Sequence, residues 1–128
     1  MSFDWRDFLI VAHELRNDPR EGVQRTSIGR AYYYVYNLGL AKARTLDFRH
    51  HGAGMHKQLW RWCESQQDQT IKQMGIKGQR MHSFRIDADY KDATVQPAAV
   101  TTQLKRARDF EILVAKSNEQ APPQALPL

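Results

Sequence analysis

The sequence predicts an all-α protein, an up-and-down bundle of four to five antiparallel helices in one domain. Three observations predict it. Apolar residues recur every three or four positions over most of the chain, no run alternates with the period of two that marks a strand, and proline or glycine stands at the breaks between periodic segments.

The first helix is expected from Asp4 to about Arg16, where Trp5, Phe8, Ala12 and Leu15 share a face and Arg6, Asp7 and Glu14 lie opposite. "NDPRE" ends it, because proline has no amide hydrogen and disfavours helix in the residue before it. A longer helix is expected from Glu21 to Leu46, with Val23, Ile28, Ala31, Val35, Leu38 and Ala41 along one side and Tyr32, Tyr33, Tyr34 and Tyr36 widening the apolar surface. "HHGAG" reads as a turn, and Met55 to about Gln66 as a third helix offering Leu59, Trp60, Trp62 and Cys63 to the core. Gln66 to Lys77 is glutamine-rich and is followed by Gly78 after an internal Gly75, so a loop or a loosely held helical piece is expected there. The fourth helix is expected from Gln79 to Tyr90 with a Met81, Phe84, Ala88 stripe. The fifth starts at Pro97, a residue suited to a first helical position, and runs through Val100, Leu104, Ala107, Phe110 or Glu111, and Val114. The domain is placed at residues 1–116. The proline-rich end, 117–128, is expected to be a disordered tail.

An apolar share of 41% and a charged share of 26% are ordinary for a soluble domain. No apolar run approaches the roughly 18 residues of a membrane span, and "MSFDWRD" is charged where a signal peptide needs an apolar stretch, so a cytoplasmic protein is expected. A single cysteine, Cys63, has no partner for an internal disulfide and reads as a packing residue. The net charge is +5. Between Lys42 and Arg61 five basic residues (Lys42, Arg44, Arg49, Lys57, Arg61) face one acid, Asp47, with His50, His51 and His56 among them. Such a stretch makes a positive field that attracts phosphate.

The histidines and Cys63 match no closed zinc spacing, and no metal or cofactor is expected. Phosphate-loop, nucleophile-elbow and zinc-protease signatures are absent. Two polar segments remain. In "RAYYYVYN", Arg30, Tyr33 and Asn37 share one helix face. In "RIDADY", Arg85 and Asp89 stand four apart and can pair directly, with Asp87 and Tyr90 beside them. From spacing alone this is an ordinary intrahelical ion pair beside core tyrosines, or the working end of a site.

Arg-x-Tyr-Tyr on a long second helix, "GMHK" after a glycine turn, "RIDADY", and "ARDF" in the last helix occur in order across most of the chain. In this the chain resembles the HEPN superfamily, in particular its small stand-alone members found beside nucleotidyltransferases or in toxin-antitoxin and phage-defence loci. The resemblance implies a helical bundle that forms a homodimer, with the motif helices of two protomers facing each other across a cleft. In nuclease members an arginine followed by a histidine cuts RNA without metal. Histidine suits the proton transfers because its pKa lies near neutrality, and the arginine fork matches the charge on the phosphoryl oxygens.

Here the sequence departs from the pattern, since Tyr90, Lys91 and Asp92 occupy the places of that histidine and Asn37 stands where relatives often have another. A tyrosine of ordinary pKa, about 10, is a poor base. The expectation is therefore a HEPN-like module that binds RNA, a nucleotide or a partner protein, such as a nucleotidyltransferase modifying Tyr90, and that cuts weakly or not at all. On this reading Arg85 and Arg30 hold phosphate, Asp87 and Asp89 orient Arg85, and Tyr33, Asn37 and His56 line the site. One alternative is a metal-independent endoribonuclease in which His82 or His56 carries the proton. A helical interaction protein with no site is the other.

Overall fold

A computed structural model of the chain describes residues 3–91 and 94–119. Those residues form five α-helices and no strand: α1 (Arg6–Leu15), α2 (Glu21–Thr45), α3 (Met55–Ser65), α4 (Gln69–Tyr90) and α5 (Pro97–Glu119). The all-α expectation holds. None of these helices is long and apolar enough to cross a membrane.

Local chemistry sets the ends. The Asp4 carboxylate accepts from the Arg6 amide at the start of α1 (2.9 Å). Asp68 caps α4 by accepting from Thr70 and Ile71 (2.8 and 3.1 Å), satisfying two amides that have no partner within the helix. Helix α2 closes in a Schellman motif, with the Phe48 amide donating to the Ala43 carbonyl and the Asp47 amide to Arg44. That motif needs a left-handed residue, and Asp47 supplies it at φ 69°. Phe48 is buried directly after it and packs on Trp62.

Helix α2 is the central element and packs against all four others. Buried residues therefore lie on most of its circumference: Ile28, Ala31, Tyr32, Tyr34, Val35, Tyr36, Leu40 and Ala43. The expected single stripe is too narrow, and Ala41, placed on it, is exposed. What stays open is one strip through Thr26, Arg30, Ala41 and Arg44, with Tyr33 and Asn37 half-buried along it.

The largest departure is α4, which begins at Gln69 and not near Gln79, so only residues 66–68 link α3 to α4 and the rest of the segment to Lys77 is regular helix. Its two internal glycines are where α3 comes closest. A Cβ on Gly75 would stand 2.7 Å from the Glu64 backbone nitrogen and 2.8 Å from the Trp60 carbonyl oxygen, and one on Gly78 would enter the Trp60 indole at 2.4 Å. Glycine costs a helix about 1 kcal/mol relative to alanine. The close seating of a fully buried tryptophan more than offsets that. Helix α5 continues through Glu119 with Ser117 buried, past the expected start of the tail at 117; residues 120–128 lie outside the described residues.

Candidate functional site

Arg85, on the penultimate turn of α4, meets α2 at Tyr33. Its Nη2 donates to the Tyr33 hydroxyl (2.6 Å), and its guanidinium lies 5.0 Å from the centre of that ring. Its Nε stands 2.8 Å from an Asp89 oxygen, but the buried Nε–H is not directed at it, so the contact is an ion pair without an aligned hydrogen bond. Among the described residues the Nη1 side of the fork has no partner. Arg85 is thus held at two points with one edge open.

Arg85 also lines a shallow cleft of about 260 Å³ between α2 and α4, together with Arg25, Thr26, Gly29, Arg30, Tyr33 and Asp89. Three arginines thus line it with one carboxylate, Asp89, while a second, Glu21, pairs with Arg25. Arg25 is positioned by the end of α4, donating to the carbonyls of Ala88 (2.5 Å) and Lys91 (2.9 Å) and pairing with Glu21 (3.3 Å). A cation there complements the negative end of the helix dipole. Arg30 is exposed and lies over the Phe8 ring (4.8 Å), which also contacts Tyr33. Phe8 leads outward to the exposed Trp5 and Phe3 through ring contacts of 5.1–5.4 Å.

Behind Tyr33 lies a stack of aromatic and imidazole rings. His56 stacks on Tyr36 (3.9 Å) and on His82 (5.1 Å), and His82 stacks on Tyr32 (5.2 Å). Trp60 can only donate, and its Nε1 donates to the Tyr32 oxygen (3.1 Å). The Tyr32 hydroxyl is fully buried and its proton has one acceptor, Nδ1 of His56 (2.6 Å). His56 is thereby fixed as the tautomer protonated at Nε2, and its basic nitrogen is occupied. Burial, helped by His82 and Arg85, pulls the His56 pKa down to about 4. Burial likewise lowers that of His82, with Arg85 and Lys57 acting in the same direction, and raises that of Tyr32. The ring nitrogens of His82 make no hydrogen bond among the described residues.

The structure therefore brings Arg85, Asp89, Arg30 and Tyr33 together, with His82 and His56 directly behind. Three expected residues stand apart. Asp87 pairs with Lys91 (3.0 Å) and lines a hollow with Phe84, Val95 and Ala99 between α4 and α5, so of the two aspartates only Asp89 pairs with the arginine. Asn37 turns back to its own helix, donating to the Tyr33 carbonyl (2.8 Å). Tyr90 is 74% exposed and reaches Arg85 only across 6.0 Å. Sequence reasoning missed Arg25, because it is five residues from Arg30 and off its helix face; only the arrival of the α4 terminus brings it in.

Cys63 is fully buried, and burial pushes its thiol pKa up to about 12, which makes it a packing residue. Among the described residues no three His, Cys, Asp or Glu side chains converge to hold a metal ion. Comparison with family models, curated proteins and solved structures finds no match to this chain.

Proposed function

We propose that the chain is a HEPN-like RNA-binding module of a toxin-antitoxin or defence system, forming a homodimer and cutting RNA weakly or not at all. One observation carries the binding reading: Arg25, Arg30 and Arg85 converge on a cleft that holds a single carboxylate, and Arg85 keeps one edge of its fork open. Charge-assisted contacts of this kind match phosphate. The dimer and the genetic setting rest on the resemblance of the motifs alone. Weak catalysis is supported by the occupied Nδ1 of His56 and by Tyr90, Lys91 and Asp92 standing where a nuclease keeps its histidine.

A second reading, a metal-independent endoribonuclease with His82 as proton carrier, draws on the unbonded ring nitrogens of His82 one turn from Arg85. Incubation with RNA in chelator, scoring binding and cleavage together, separates the two. The expected result is binding without cleavage, with affinity falling steeply as salt rises and weakened about tenfold in Arg85→Ala, the size expected for one charged hydrogen bond. Arg85→Lys should recover part of it. An Arg85→Ala protein that is folded and binds RNA normally would refute the site. Cleavage lost in both Arg85→Ala and His82→Ala would establish the nuclease.

A further inference from the structure

Arg44 stands eleven residues beyond Tyr33 on α2, three turns plus about 20°, so the two side chains leave the helix in nearly the same direction. The rise puts Arg44 about 16 Å further along the axis. The strip between them holds no acid: Glu21 is the only acidic residue of α2 and is paired with Arg25.

At the far end of the strip a hollow of about 450 Å³ is lined by Arg44, Asp47, Phe48, Arg49, His50 and His51. Among the described residues neither Arg44 nor Arg49 forms an ion pair, although Asp47 lines the same hollow. The hollow is built and not incidental. Gln58 of α3 holds the loop by accepting from the His51 amide (2.8 Å) and donating to the carbonyls of His51 and Ala53 (2.7 and 2.8 Å). Buried Phe48 anchors the other side, and Asp47 keeps the left-handed backbone that turns the chain there. Two guanidiniums without ion pairs, Arg44 on the last turn of α2 and Arg49 on the loop that Gln58 holds, are a preformed place for a phosphate.

We propose that the open strip of α2 is a track for single-stranded RNA, with a second phosphate subsite at Arg44 and Arg49. The proposal rests on the reading of the Arg85 cleft as an RNA site and extends it. Phosphates occupy the two ends, and bases stack on the exposed rings of Trp5 and Phe3, which reach the cleft through Phe8 and Tyr33. Exposed aromatics beside a cationic groove are how single strands are held without sequence preference. Arg44 and Arg49 form no ion pair among the described residues, and α2 carries no acid between Arg30 and Arg44 although Asp89 and Asp47 stand at the two ends; this favours a polyanion over a protein partner.

The test compares a labelled single-stranded trinucleotide, too short to touch both ends, with a dodecamer, by fluorescence anisotropy over a range of salt. The dodecamer should bind at least tenfold tighter to the native chain. Arg44→Ala with Arg49→Ala should remove that advantage, leave the trinucleotide unchanged, and lower the salt slope by about 1.4, the value for two phosphates on a single strand. Both residues are exposed, so the fold should persist, and melting curves check it. Equal affinity for the two lengths, or a double variant that binds the dodecamer normally, would overturn the track and leave the Arg85 cleft standing. Failure of both oligonucleotides to bind the native chain at low salt would remove both.

Discussion

Replacing Gly78 with alanine should destabilise the protein by about 1–3 kcal/mol, although alanine is the better helix former. The added Cβ would lie 2.4 Å from Cε3 and Cζ3 of Trp60 and 2.5 Å from Cδ2. The indole has nowhere to retreat. A Cβ built on Gly39, across the ring on α2, would already be 3.0 Å from it, and Phe110 packs edge-on at 5.8 Å. Overpacking of this kind costs about 1–3 kcal/mol, and any tilt of Trp60 that breaks its bond to Tyr32 adds about 1 kcal/mol. The helix-propensity gain offsets about 1 kcal/mol. Gly29→Ala is the control, because a Cβ there meets nothing within 4 Å and should stabilise by about 0.5–1 kcal/mol. Urea unfolding gives the answer as midpoints of opposite displacement at unchanged m-value. If both variants move upward together, the close seating of α3 on α4 does not explain the glycines.

Two further outcomes follow from the same geometry. His56 is held near pKa 4 against an ordinary 6.5, so the unfolded chain takes up a proton that the fold resists, and stability should fall as pH drops from about 6.5 toward 4. The shift sets an upper bound near 3 kcal/mol, which screening at a half-buried ring reduces to about 1–2 kcal/mol; His56→Gln should flatten this part of the profile in urea titrations, and an unchanged slope would refute it. Asp47→Gly should stabilise by about 0.5–1 kcal/mol, since only glycine takes the left-handed conformation freely, and should tighten RNA binding by removing the acid from the Arg44 hollow; a lower melting temperature would count against the Schellman reading.

Much of the helix layout was legible in the residues, because periodicity, Pro19, Pro97 and the "HHGAG" turn are local signals and helices respond to local signals. Starts at Glu21, Met55 and Pro97 fall where composition places them. The misread segment, 66–78, fails for a nonlocal reason: Gly75 and Gly78 look like breakers until Trp60 and Glu64 occupy the space they leave. The all-round burial of α2 was hidden for the same cause, since a stripe assumes one neighbour and α2 has four.

In the candidate site, the sequence by itself determined the chemistry on offer: Arg85 with Asp89 one turn away, and Arg30 with Tyr33. Helical spacing puts the members of each pair on one face of their helix. Tertiary structure alone decided which of them meet. It set Arg85 against Tyr33, fifty-two positions away; brought Arg25 in through the α4 terminus; turned Asp87 out toward α5; and locked His56 to Tyr32. Those choices depend on how helices cross, and crossing follows from the shapes of buried side chains such as Trp60, which no periodicity encodes.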